Sequence, residues 1–182
     1  MKQSTRQKPI VIAVVGGKSS GKTTTVEALT ETLTKKGYKV AAVKHIPEKD
    51  FTIDTKDKDT WRFAQSGAKT VVAISPNEIA TIEKANISHV TLSSILERCH
   101  GNDIIIIEGF RKMLGKNLKV PKIVATKSAE EVSEALKTFK PIVAFTGPYQ
   151  ASEMASHVLY IDVLREKEKI ADVVAELLKR GK

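Results

Sequence analysis

Cysteine is nearly absent from this chain. Cys99 stands alone among 182 residues, so no disulfide can close within it. The four histidines are scattered, and no Cys/His set has the spacing of metal ligands. Aromatic residues make up only 5% of the composition, which leaves few stacking platforms for single-stranded nucleic acid. No apolar run approaches the roughly 20 residues that a bilayer-spanning helix needs. The first such run, Ile10–Val15, follows Lys2, Arg6 and Lys8, but it is short and ends in a glycine-rich loop, so it reads as a strand rather than a signal peptide. These absences point to a cytoplasmic protein with no membrane and no nucleic-acid partner.

Negative charge is in deficit. Thirty Lys and Arg stand against 21 Asp and Glu, a net charge of +9, so the surface should favour anionic ligands. The basic residues are dispersed rather than gathered into the patch that nucleic acid requires. With 41% apolar and 28% charged residues, the composition is that of an ordinary globular protein, long enough for one domain over 1–182 with a proper core.

The chain is organised around the stretch IVIAVVGGKSSGKTT, Ile10 to Thr24. Gly16 to Thr23 fits G-x-x-x-x-G-K-[ST], a phosphate-binding loop, here in the right context of an apolar strand before it and an amphipathic helix after it. Gly16 and Gly21 permit backbone angles that a side chain would block. The N–H groups of Gly17, Lys18, Ser19 and Ser20 can then form an anion nest at a helix start. Lys22 reaches the β- and γ-phosphates, and Thr23 supplies a hydroxyl for Mg²⁺.

Along the chain, residues 1–8 read as a polar, frayed start. The pattern predicts a strand over Pro9–Val15, a helix over Lys22–Lys36 stopped by Gly37, and a strand over Lys39–Lys44. Val40, Ala41, Ala42 and Val43 are apolar on both faces, which places that strand in the middle of a covered parallel sheet. A polar loop, a short helix over 57–65 and strands over 69–74 and 78–82 follow. Leu92, Ile95, Leu96 and Cys99 share a helix face, which makes Cys99 a core thiol rather than a reactive one. Further strands are expected at Asp103–Ile107, Lys122–Thr126 and Ile142–Phe145, with a short edge strand at His157–Ile161. Helices are expected at Ala129–Thr138 and Glu166–Lys179. Strands alternating with helices define an α/β fold: a mostly parallel sheet flanked by helices, of the P-loop NTPase type.

Ligands of such sheets bind beyond the carboxyl ends of the strands. The phosphate loop, Lys44-His45, Glu108-Gly109-Phe110-Arg111, Thr126-Lys127 and Thr146-Gly147 all fall there. Glu108 is the candidate acidic partner for Mg²⁺ or for an attacking water. Asp103 lies at the wrong end of its strand. Lys112, Lys116, Lys119 and Lys122 line a loop from Gly109 to Pro121, either as a landing place for a second anion or as plain surface charge. The acids from Asp54 to Asp59 suit either a site or an ordinary helix start.

In combination these blocks resemble the molybdopterin-guanine dinucleotide biosynthesis protein B (MobB) family. The likeness runs over about residues 9–126 through Gly16–Thr24, Val43-Lys44-His45, Asp54…Lys58-Asp59-Thr60…Arg62…Gly67-Ala68, Glu108-Gly109-Phe110-Arg111 and Pro121-Lys122-Ile123. It implies a homodimeric GTP-binding protein with weak GTPase activity. Such a protein assists the molybdopterin guanylyltransferase that attaches GMP to molybdopterin, with molybdopterin itself a possible ligand. The resemblance gives Gly16–Thr24 the triphosphate and Mg²⁺, Glu108 the metal or water, Asp59 and Arg62 places near metal and phosphates, and Lys44 and His45 the strand-two side of the site. Departures are Ile46-Pro47 where a further histidine is frequent, and Thr60 where serine is usual. The place expected for an Asn-Lys-x-Asp guanine motif reads Thr126-Lys127-Ser128-Ala129, leaving Lys127 to stack over a purine. Two other readings compete. One is a small-molecule kinase on the same fold, with Arg111 and Arg62 as the lid arginines. The other, from charge alone, is a nucleic-acid-binding NTPase.

Overall fold

The computed structural model describes residues 8–148 and 158–180, with side chains through Lys179. The polar start over residues 1–7 and the residue His157 therefore lie outside the described residues. Contacts divide the chain into two compact units, one formed by the residues up to His45 together with those from Leu96 onward, the other by Ile46–Ile95.

The first unit is a parallel sheet of β1 (Ile10–Gly16), β2 (Val40–Lys44), β5 (Ile104–Glu108), β6 (Lys122–Ala125) and β7 (Ile142–Thr146), in the order β2-β5-β1-β6-β7. Its helices are α1 (Lys22–Lys35), α4 (Arg111–Leu114), α5 (Ala129–Thr138) and α6 (Lys167–Arg180). Side chains alternate across a strand. Ile12, Val14, Ile104 and Ile106 accordingly share one core with Leu29 and Leu33 of α1 and Ile170 and Val174 of α6. The intervening Ala13, Val15, Ile105 and Ile107 are buried as well, as a parallel sheet covered on both faces requires. Leu29 is wholly buried, so Leu29→Ala should cost about 3 kcal/mol in a denaturant titration.

Two readings are corrected here. β2 is not in the middle of the sheet but at its edge, beside β5 alone among the described strands. Its apolar run gives only partial burial, with Ala42 exposed, because alanines leave little to cover. Nor does Lys122 line a surface loop. It is fully buried at the start of β6, and its ammonium donates to the carbonyls of Asn117 and Lys140, so two of its three donors meet backbone oxygens. Burial holds its pKa below the ordinary lysine value. The segment before it contains α4 and buries Leu114 and Val120. Cys99 is buried, and burial raises its thiol pKa, consistent with a packed side chain. Among the described residues of the expected edge strand, Tyr160 forms a parallel bridge with Phe145 of β7.

The second unit holds α2 (Asp59–Gln65) and an antiparallel ribbon of β3 (Thr70–Ile74) and β4 (Ile79–Glu83). Val72, Ile74 and Ile79 lie exposed on one face of that ribbon. A further helix, α3 (Leu92–Arg98), carries the chain back to the first unit. Among the described residues no helix is long and apolar enough to cross a membrane.

Candidate functional site

Central position in the sheet delivers the phosphate loop. β1 is flanked by β5 and β6, and the chain leaves it at Gly16 with φ 153°. A Cβ there would stand 2.2 Å from the Ala125 carbonyl oxygen, so the loop can leave the strand this closely only with glycine. Gly21 then caps α1 in the left-handed region, φ 93°, and no side chain caps the helix. The free N–H groups of the first turn and the positive end of the helix dipole open onto the loop. Buried Ser20 braces it by donating to the Gly17 carbonyl at 3.0 Å. An open depression of about 350 Å³ is lined by Ser19, Ser20, Gly21, Lys22, Thr23 and Thr24.

The neighbouring strand ends converge on the start of α1. Thr23 Oγ1 lies 3.2 Å and 3.4 Å from the two carboxylate oxygens of Glu108, which closes β5. Glu108 is only 8% exposed, and Lys44 at the end of β2 approaches its Oε1 at 3.5 Å. Lys22 folds back to donate to the Gly17 carbonyl. Burial lowers its pKa, and the charge of Glu108 opposes that shift while Lys44 adds to it. A hydroxyl and a carboxylate in contact are the hard oxygen donors that suit Mg²⁺. Among the described residues no group of three His, Cys, Asp or Glu side chains is placed to hold a metal. A metal at this site would therefore take its remaining ligands from phosphate and water.

His45 continues from β2, donates its N–H to the Glu108 carbonyl at 2.9 Å, and packs its ring 4.5 Å from that of Phe110. Arg111 is turned to α5: it pairs with Glu134 at 2.6 Å and lies over the Phe139 ring. Lys127 sits 3.7 Å from Glu131, whose carboxylate also accepts the Lys127 N–H at 2.8 Å. Exposed Lys18 forms the outer lip of the loop. Asp59 and Arg62 belong to the second unit, where they pair with each other on α2 at 3.7 Å. Within the first unit the structure brings Lys22, Thr23, Lys44 and Glu108 together.

Sequence reasoning missed Glu131. Its Oε1 would lie 2.9 Å from a Cβ on Gly17, so the start of α5 lies close against the loop. The signal was the capping box Ser128-x-x-Glu131, in which Ser128 accepts the Glu131 N–H at 3.3 Å.

A parallel sheet whose central strand runs through this loop into a helix defines the P-loop nucleotide-binding class of fold. Within that class the sequence profile of Molybdopterin guanine dinucleotide synthesis protein B matches residues 11–146, and the chain belongs to that MobB family. A Methanocaldococcus jannaschii protein named as a molybdopterin-guanine dinucleotide biosynthesis adapter is 38% identical over 121 residues, covering 66% of this chain and 48% of that one. The chain thus spans about half the length of that relative. A Haemophilus influenzae protein of the same adapter name is 27% identical over 131 residues, covering 68% of this chain and 70% of its own. A crystal structure of molybdopterin-guanine biosynthesis protein B superposes with a TM-score of 0.71 at 30% identity, covering 93% of this chain and 99% of the other.

Proposed function

We propose that this protein is a cytoplasmic adapter in molybdopterin guanine dinucleotide biosynthesis that binds magnesium–GTP at Gly16–Thr24 and hydrolyses it slowly. The contact of Thr23 with Glu108 at the mouth of the loop carries this reading, with Lys22 and Lys44 beside it. The adapter role follows the names of the relatives. The loop N–H groups and Lys22 would hold the phosphates, while Thr23 and Glu108 would hold the metal and its water. Mg²⁺ would supply charge neutralisation on the β- and γ-oxygens. Lys44 and His45 would stand on the terminal-phosphate side. Asp59, Arg62 and Lys127 are assigned to the nucleotide by resemblance alone. The partners would be the guanylyltransferase, its molybdopterin substrate and a second copy of the chain. The exposed Val72, Ile74 and Ile79 on one face of the β3–β4 ribbon support self-association.

Calorimetry tests the reading. GTP should bind with a micromolar or weaker dissociation constant only when Mg²⁺ is present, and turnover should be slow. The absence of heat from GTP and ATP alike would overturn it.

A further inference from the structure

The phosphate loop adjoins a second, larger cavity of about 450 Å³, which shares Ser19, Gly21 and Thr24 with it. Its far wall is the turn Asp162–Arg165 between the Tyr160 bridge and α6, and Gly147-Pro148 after β7 form its side. We propose that this cavity is the nucleoside subsite and that Asp162 selects guanine over adenine, an inference that rests on triphosphate binding at the loop.

Three observations carry it. The first is polarity along the sheet. Thr23 faces Glu108 of β5 and, beyond it, Lys44 of β2, so the metal and terminal phosphate belong on the β5–β2 side. A triphosphate gripped there must run across the start of α1 toward β6 and β7, and Thr24, one residue on, already lines the cavity on that side.

The second is the build of the cavity. Gly147 packs so closely that a Cβ on it would meet the Thr126 carbonyl oxygen at 2.4 Å and that of Ser20 at 2.8 Å, which joins the cavity wall to the phosphate loop. Pro148 and Leu164, the latter 71% exposed, give apolar surfaces for a flat ring. The guanidinium of Arg165 beside them can lie against the ring face.

The third is Asp162 itself. One carboxylate oxygen accepts the Leu164 N–H at 3.0 Å and so orients the side chain. The other meets only the exposed Arg165 Nε at 3.5 Å among its described contacts, and keeps lone pairs for a ligand. Guanine offers N1–H and N2–H side by side, two donors for a carboxylate. Adenine presents an acceptor at N1 and is refused.

Asp162→Asn is the discriminating variant. Its amide oxygen can still accept the Leu164 N–H, so the turn is kept, while the amide nitrogen turns an acceptor into a donor suited to the C2 carbonyl of xanthine. Magnesium complexes of GTP, ATP, XTP and inorganic tripolyphosphate are titrated against wild type and variant by calorimetry. The expected result is that the variant loses GTP affinity by about tenfold or more, gains XTP, and leaves ATP and tripolyphosphate unchanged. Unchanged tripolyphosphate binding also shows that the variant is folded. An unaltered GTP-to-ATP ratio, or equal losses for both, overturns the assignment of Asp162. Tripolyphosphate bound as tightly as either nucleotide removes the nucleoside subsite but spares the loop. No binding of any of the four to wild type overturns the loop reading and this inference with it.

Discussion

Lys22→Ala should lower the affinity for magnesium–GTP by about 100-fold or more, because it deletes the charge-assisted bonds to the phosphates and leaves their charge unmet. The melting temperature should move by no more than about 2 °C, since the residue lies outside the buried core. The structure gives the reason for the asymmetry. The Lys22 ammonium donates to the Gly17 carbonyl, a contact inside the loop rather than between elements of the core. Partial burial lowers its pKa, and the negative charge of an arriving phosphate would favour the charged form. Calorimetry with a thermal melt on the same sample checks both halves. Unchanged heats would take Lys22 out of the site, and a large fall in melting temperature would show that the loop is part of the core.

The sequence made the frame of this fold readable because most of it is local. Ile10–Val15 and Asp103–Ile107 are apolar enough to be central strands, and the strand, glycine loop and helix at Gly16–Thr24 is a contiguous signal. The position of Glu108 at a strand end was legible because its strand announces where it ends. What failed was what depends on distant pairing. Val40–Val43 carry no mark of which strands lie beside them, so an edge strand read as a central one. Lys122 read as surface charge because lysine usually is. Its burial depends on the carbonyl of Lys140, which only folding brings to it. Glu131 and Asp162 stand more than a hundred residues from the loop they adjoin, and the capping box that holds Glu131 marks only a helix start. Carboxylates at helix starts and in turns are ordinary, and the approach of these two to the phosphate loop appears only in three dimensions.

Glu108→Gln should separate binding from hydrolysis. The amide keeps the shape and can still accept from Thr23, so magnesium–GTP affinity should fall by no more than a few-fold. Hydrolysis should drop by about 10- to 100-fold, because a neutral group holds a metal-bound or attacking water poorly. A second effect has a definite sign. In the wild type the Glu108 carboxylate raises the pKa of Lys22 against the lowering by burial and by Lys44. Removing that negative charge leaves only the more weakly acting Glu131 to oppose the lowering, so Lys22 loses its proton at a lower pH. GTP binding by the variant should therefore fall away earlier on the alkaline side than in the wild type, while near neutrality the two differ by no more than that few-fold. Phosphate release and calorimetry across an alkaline pH series measure the two effects independently. Hydrolysis that survives unchanged would remove Glu108 from the chemistry. An unmoved alkaline limit would show that the carboxylate and the loop lysine do not share one electrostatic site.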